Sequence, residues 1–237
     1  MNRASQSTYI EQNNATGRVS FWQAGDNHSV GDRRGVSLFE YIHAIYGLLR
    51  QAKARHVLMI GCGGGTLATM LHRAKVKVTL VEIDPKSLQI ARDYFNLPDA
   101  VETHLADGAA FLRRDSRRYD AIVLDAYADE AIPKVFRKPA FYTLAKERLK
   151  RGGMLLVNVI VRDDEDQQPA RLAALAHTAF RDVRLLDAVG WEDRNAVLAA
   201  GNVKKLKAPR LLMKPERSAK KIAAGLKTLA FRERADL

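Results

Sequence analysis

Val57-Leu58-Met59-Ile60-Gly61-Cys62-Gly63-Gly64-Gly65-Thr66, followed by Val81-Glu82-Ile83-Asp84, carries most of the information in this chain. The run reads as an apolar strand, a glycine-rich turn, a helix, and a second strand that ends in an acid. Glu82 lies 21 positions after Gly61, close to the roughly 20-residue spacing of nucleotide-binding βαβ units. Glycines there permit a tight turn and a close approach of backbone to ligand. A carboxylate at the tip of the second strand can accept from ribose hydroxyls. The chain is therefore expected to bind a nucleoside.

A dinucleotide loop calls for G-x-G-x-x-G, the third glycine bringing helix and strand together. That third position is Thr66, so the pattern fails by one residue. What stands is G-x-G-x-G, at Gly61, Gly63 and Gly65. This resembles the first motif of class I S-adenosylmethionine-dependent transferases.

Strand and helix patterns alternate outward from the loop. Strands are expected near 56–61, 77–82, 101–105, 119–125 and 153–161, and helices near 65–74, 85–95, 108–114, 139–150 and 167–180. Asp84-Pro85 opens one helix as cap and first-turn proline. Arg151-Gly152-Gly153 stops another. Val183–Val189 and Ala196–Ala200 are joined by a link too short for a parallel crossover, so that pair should be antiparallel. The expectation is a Rossmann-like α/β domain with a mostly parallel seven-stranded sheet whose last strand pair is antiparallel. Residues 1–17 are polar and read as frayed, residues 18–39 as one or two short strands in a hairpin, and residues 40–53 as a helix. Residues 1–53 thus form an N-terminal extension, 54–202 the nucleoside-binding domain and 203–237 a basic C-terminal segment, with a helix over 215–232.

The 237 residues suffice for a sizeable core, and the 47% hydrophobic fraction is that of a globular protein. The longest uncharged apolar stretch, Met154–Val161, is too short to span a bilayer. No signal-peptide pattern opens the chain and Cys62 is its only cysteine. A cytoplasmic protein without disulfides follows as an expectation. Of the net charge of +12, residues 203–237 hold eleven Lys/Arg against three acids. That segment reads as a solubilising tail, or as a weak and unspecific contact for nucleic acid, an anionic surface or an acidic partner. Phe231 is its one aromatic residue, so base stacking is not expected. The six histidines form no spaced metal set, and Asp163-Asp164-Glu165-Asp166 reads as a solvated loop capping the next helix. No metal is expected. A homodimer is compatible with the sequence, which does not set the oligomeric state.

With the strands placed, residues 55–160 resemble the spermidine synthase (aminopropyltransferase) family. The resemblance rests on Val57–Thr66, Val78–Asp84, Ala106-Asp107-Gly108-Ala109-Ala110-Phe111-Leu112, Tyr119–Tyr127, Ile132-Pro133 and Leu149–Asn158. It implies S-adenosylmethionine, or its decarboxylated form, as co-substrate. It further implies that Glu82 binds the ribose hydroxyls, that Asp107 with the backbone of Gly108 and Ala109 faces the adenine amine, and that Asp125 lies near the sulfonium and the incoming nucleophile. Asp125 is the candidate base for an ammonium acceptor. Tyr41, Tyr127, Asp129 and Trp191 are candidates for the acceptor side, the aromatics because they line apolar clefts and favour cations.

The departures are informative. Aminopropyltransferases carry an acid in the glycine loop, where this chain has Gly64, and a second acid three residues after the position of Asp125, where it has Ala128. Asp129 and Glu130 follow at once. The family's tyrosine-histidine-glutamate run is replaced by Glu40-Tyr41-Ile42-His43. Each loss weakens the case for a diamine, because a dication needs carboxylates to replace its hydration. The expected function is aminopropyl transfer to an unidentified small-molecule amine. The alternatives are a methyltransferase acting on a small molecule or RNA, and a non-catalytic nucleoside-binding protein with a docking tail.

Overall fold

The computed structural model describes residues 8–127 and 131–232. Ala128, Asp129 and Glu130, and with them the candidate acids after the fourth strand, lie outside the described residues.

The central sheet begins with β4 (His56–Ile60), β5 (Lys77–Glu82), β6 (Glu102–Leu105), β7 (Tyr119–Leu124) and β8 (Leu149–Val161), all parallel. The helices between them are α2 (Thr66–Arg73), α3 (Pro85–Phe95), α4 (Gly108–Arg114) and α5 (Pro139–Glu147). After α6 (Gln168–His177) come β9 (Val183–Asp187) and β10 (Arg194–Gly201), paired antiparallel as expected. β10, not β9, sits against β8, Arg194 facing Val161 and Gly201 facing Met154.

The sheet has eight strands, one more than expected. The basic helix expected over 215–232 is shorter, α7 (Ala219–Leu226), because Ala230–Arg232 turn into β11 and pair with β9. Spatial order is β11-β9-β10-β8-β7-β4-β5-β6. The direction of winding reverses between β4 and β7, where open α/β sheets place their ligands, beyond the carboxyl ends of the strands.

Alternation along the strands feeds two cores. Val57 and Met59 of β4 face one side with Leu67 and Met70 of α2 and with Ile45 and Leu48 of α1 (Glu40–Gln51). Leu58 and Ile60 face the other, with Leu112 of α4, Phe141 of α5 and Leu172 of α6. This is the period-2 pleat of strands buried on both faces. Helix starts follow the local chemistry: Asp84 caps α3 by accepting from Lys86 N–H at 3.0 Å, with Pro85 in the first turn.

The N-terminal region is more ordered than its polar composition suggests. Thr8–Asn13, read from sequence as part of a frayed end, form β1, the edge of a three-stranded antiparallel sheet with β2 (Arg18–Gln23) and β3 (Asp26–Gly31). Alternation was hidden because β1 buries almost nothing; its partners supply the anchor. Phe21 of β2 is 1% exposed and packs with Val19 and Phe95 of α3.

The basic C-terminal segment is folded against the domain. Val203, Leu206, Ile222, Leu226 and Leu229 join the core shared with α1. Gln51 exchanges two hydrogen bonds with the backbone of Lys207, at 2.9 and 3.0 Å. Its described lysines are exposed, while Leu212 stands 56% exposed beside the buried apolar residues. Among the described residues, no helix is long and apolar enough to cross a membrane.

Candidate functional site

The loop from β4 to α2 turns on three glycines with φ of 96°, 49° and 66°, at Gly61, Gly63 and Gly65, a region that costs residues bearing a Cβ. Gly61 is also required by space. A Cβ there would lie 2.0 Å from the carbonyl oxygen of Asp125. The loop and the end of β7 are thus pressed together at the reversal of strand order, and Asp125 N–H donates to Ile60 O at 2.9 Å.

Glu82 ends β5 beside this loop and is 9% exposed. Its Oε1 accepts from the N–H groups of Ile83 (2.7 Å) and Asp84 (2.9 Å), and its Oε2 from Cys62 N–H (2.7 Å). The carboxylate therefore braces the glycine loop. A carboxylate offers about four lone-pair positions, and three are spent, so one on Oε2 remains for a ribose hydroxyl. Ile83 and Leu105 flank Glu82 at the ends of β5 and β6, and they are 68% and 58% exposed. Leu105 is the register partner of Glu82. Two large apolar side chains thus lie exposed beside the Glu82 carboxylate. Sequence reading passed over them, though their place one after Glu82 and two before Asp107 was visible.

Asp107 caps α4, its Oδ1 accepting from Ala110 N–H at 2.7 Å. Its Oδ2 carries no bond among the described residues, so capping and ligand contact can use different oxygens. Gly108 and Ala109 are buried at the start of α4, where a Cβ on Gly108 would meet Ile60 Cγ2 at 2.3 Å.

Asp125 is held from two sides. Asn158 Nδ2 donates to its Oδ1 at 2.7 Å and the Tyr41 hydroxyl donates to its Oδ2 at 3.3 Å. Asn158 is oriented in turn by Asn195 Nδ2, which donates to Asn158 Oδ1 at 3.0 Å. Burial pushes the Asp125 carboxyl above the usual range; the bonds from Asn158 and Tyr41 pull it back in part, and the charge of Glu82 adds to the rise. Burial likewise pushes the Tyr41 hydroxyl well up, Asp125 reinforcing it. The structure thus brings Tyr41 to Asp125 and adds Asn158, which ends the Leu149–Asn158 segment but was read for no role, and Asn195, which no motif marked.

Tyr127 has a different setting. Its hydroxyl donates to Asn158 O and accepts from Ile160 N–H, both at 2.8 Å. Beyond Leu124, where β7 stops pairing, the phenol takes over the ladder along β8. Trp191 lies on the link from β9 to β10 and is 63% exposed, its carbonyl accepting from Arg194. No contact among the described residues joins it to Asp125.

The N-terminal sheet closes over the loop. Ser29 Oγ accepts from Gly64 N–H at 2.7 Å and donates to His28 O at 2.6 Å. A Cβ on Gly64 would lie 2.9 Å from Ser29 Cβ and 3.0 Å from the Phe95 ring, so the packing excludes an acid at this position. The Gly64 amide is already taken by Ser29 and is not free for a ligand. Burial lowers the basicity of His28, with Asp26 and Glu82 partly offsetting it. Cys62 is inert by its surroundings: burial pushes its thiol well up and Glu82 adds to the rise. Among the described residues no group of three or more His, Cys, Asp or Glu side chains could hold a metal.

Residues 39–160, just over half of the chain, match the spermine/spermidine synthase domain family. A probable polyamine aminopropyl transferase of Bifidobacterium longum is 33% identical over 133 residues, covering 55% of this chain and 30% of that protein. The polyamine aminopropyltransferase of Vibrio vulnificus is 33% identical over 128 residues, 51% of this chain and 43% of its own. An eEF1A lysine and N-terminal methyltransferase homolog of Drosophila pseudoobscura is 32% identical over 123 residues, 46% of this chain and 18% of its own. The matched part of the chain thus spans less than half the length of each of these relatives. Among solved structures, a probable spermidine synthase from Corynebacterium glutamicum superposes with a TM-score of 0.78 at 17% identity, over 99% of this chain and 90% of that one. Human methyltransferase-like protein 13 in complex with SAH gives 0.59 at 23% identity, over 80% and 91%. At these identities the likeness is one of fold.

Proposed function

The chain belongs to the spermine/spermidine synthase family, and from that premise we propose that it transfers an alkyl group from an S-adenosyl sulfonium donor to an amine. The observation that carries this reading is the Asp125 carboxylate, set at the end of β7 between Tyr41 and Asn158 and beside the glycine loop.

The residues present fit an S-adenosyl group. Glu82 keeps one acceptor position for a ribose hydroxyl, Ile83 and Leu105 offer apolar walls for the base, and Asp107 Oδ2 is available to an exocyclic amine. A bound donor supplies an electrophilic carbon on a sulfonium, which leaves as a neutral thioether and needs no acid. What remains for the protein is alignment and one proton. Asp125 takes the proton of the incoming ammonium, freeing the nitrogen lone pair to form the new C–N bond as the C–S bond breaks. Its raised pKa makes it a better proton acceptor than an ordinary carboxylate, while Asn158 and Tyr41 fix its direction. The N-terminal sheet fixes the glycine loop through the bond from Gly64 N–H to Ser29 Oγ.

Aminopropyl transfer is the reading the family favours. Gly64 specifically favours a second one, methyl transfer. Packed under Ser29 and Phe95, it offers no carboxylate to grip the amino group of a decarboxylated donor. On this ground the intact donor should bind at least as tightly as the decarboxylated one. The test is calorimetric titration with S-adenosylmethionine, its decarboxylated form and methylthioadenosine, followed by turnover with putrescine as probe acceptor. Binding of the S-adenosyl ligands is expected, with Asp125→Asn retaining binding and losing turnover. Absence of binding to all three ligands would overturn the proposal. A strong preference for the decarboxylated donor would remove the methyl reading and restore aminopropyl transfer alone.

A further inference from the structure

A cleft of about 210 Å³ opens between the N-terminal sheet and the segment that leads into α7, lined by Thr16, Arg18, Asp32, Leu38, Arg217 and Ser218. Three stretches distant in sequence form its walls, and they are tied to one another. Asp32 is the hub. Its Oδ1 accepts from the N–H groups of Arg34 and Val36, both at 2.9 Å, and its Oδ2 from Arg34 Nη2 at 3.3 Å and Glu216 N–H at 2.9 Å. Arg34 Nη2 also donates to Lys214 O at 2.8 Å, and Arg33 Nη2 to Asn14 O at 2.6 Å. These bonds fix the three stretches to one another, and the cleft they line opens to solvent.

Its electrostatics are one-sided. Asp32 is the one acid among the described lining residues; Arg34 at 3.3 Å offsets its charge, and four donors occupy its lone-pair positions, which leaves none for a further donor. Arg18 and Arg217 line the cleft with it. Arg18 spends its Nε on Ser20 Oγ at 3.2 Å, which leaves both of its terminal nitrogens. Arg217 and the Ser218 hydroxyl have no partner among the described residues. Donors from opposite walls outnumber what the two oxygens of a carboxylate, already matched by a single guanidinium fork, can use. A phosphate, with three acceptor oxygens, suits two forks and a hydroxyl. Leu38 adds an apolar surface that inorganic phosphate would leave unused.

We propose that this cleft binds a small phosphate monoester, gripped between Arg18 and Arg217 with its organic part against Leu38. The site stands apart from the Glu82–Asp125 centre in its chemistry: it takes an anion, and its lining shares no residue with that centre. It is independent of the group-transfer proposal, and its test needs no turnover.

The test is calorimetric titration of the full chain with glycerol 3-phosphate, inorganic phosphate and glycerol, at one ionic strength held with sodium chloride. Saturable binding of glycerol 3-phosphate is expected, tighter than inorganic phosphate, with none for glycerol. Arg217→Ala and Arg18→Ala should each weaken it at least tenfold and the double substitution should abolish it. Arg181→Ala, an exposed arginine outside the cleft, should leave it unchanged. Both cleft arginines are exposed, so the variants should stay folded; an unchanged melting temperature verifies this without any S-adenosyl ligand. No saturable heat with the ester, equal binding by the double variant, or binding of inorganic phosphate but not the ester would each overturn the assignment.

Discussion

Replacing Glu82 by glutamine separates its two tasks. The carboxylate braces the loop with three hydrogen bonds, two on Oε1 and one on Oε2. A glutamine presents an oxygen to one side only. It should keep Oε1, retain the bonds from Ile83 and Asp84, and turn its amide nitrogen toward Cys62 N–H. One donor then loses its acceptor, at a cost of about 1–3 kcal/mol. For a chain of this size each kcal/mol lowers the melting temperature by about 2–4 °C, so a drop of roughly 2–12 °C is expected. The same rotation removes the one acceptor position left for ribose. Losing a single charge-assisted bond of ~1.5–3 kcal/mol should weaken S-adenosyl ligands by about 10- to 150-fold. Thermal melting and calorimetric titration of the purified variant read the two effects separately. An unchanged melting temperature refutes the bracing role, and unchanged affinity in a folded variant refutes the ribose role.

Asp125→Asn should behave in the opposite sense for stability. The native carboxyl has a raised pKa, so the folded state binds more protons than the unfolded state between the ordinary carboxylate pKa of ~3.9 and the raised value. Stability therefore falls as pH rises through that window, and the neutral amide should remove this penalty while lowering turnover by at least about 100-fold; a variant that melts well below the parent at pH 7 contradicts the account. Wild-type turnover should decline on the acid side at a pH above the ordinary carboxylate range, which a pH–rate profile measures. Gly225→Ala places a Cβ 1.6 Å from Glu40 Oε2, the tip of a flexible side chain that must swing away; this cost opposes the ~1 kcal/mol of helix propensity gained in α7, so Glu40→Ala should raise the stability of the Gly225→Ala variant in a double-mutant cycle, and zero coupling refutes the contact. Nucleic acid, if bound by the basic segment, should dissociate steeply with salt. Lys204→Ala, Lys205→Ala and Lys207→Ala, all exposed positions, should together reduce the log–log slope for single strands by up to about two units, and an unchanged slope places the contact elsewhere.

The Rossmann-like core was legible because its signals are local. An apolar run meets a glycine turn at 57–66 and Asp84-Pro85 opens a helix; the helix stop read at Arg151-Gly152-Gly153 is corrected, since α5 ends at Glu147 and those residues lie inside β8. The glycine loop, Glu82 and Asp107 could be placed for the same reason. What stayed hidden depends on contacts distant in sequence. β1 has no buried face of its own and exists through β2. β11 is three residues added to an edge that only the fold creates. The helix expected over 215–232 was too long because nothing local announces that Ala230–Arg232 turn into a strand. Asn195 carries no motif and Asn158 only closes the Leu149–Asn158 segment; their contact arises because β8 and β10 are neighbours. The Ser29–Gly64 bond joins residues 35 apart across two sheets.

The seating of β10 between β8 and β9 also constrains the order in which the molecule can assemble. β9 emerges first during synthesis, yet among the described strands it pairs only with β10 and β11. Leu185 and Leu186, both 0% exposed in the finished structure, cannot be sheltered in the sheet until residues 194–201 have docked on β8. Until then the growing chain carries an apolar strand with an open edge, the kind of surface that pairs with a neighbouring chain. The growth of this half of the sheet is therefore out of sequence, the later strand serving as the template for the earlier one. A nascent chain stalled between β9 and β10 would be the species most in need of a chaperone.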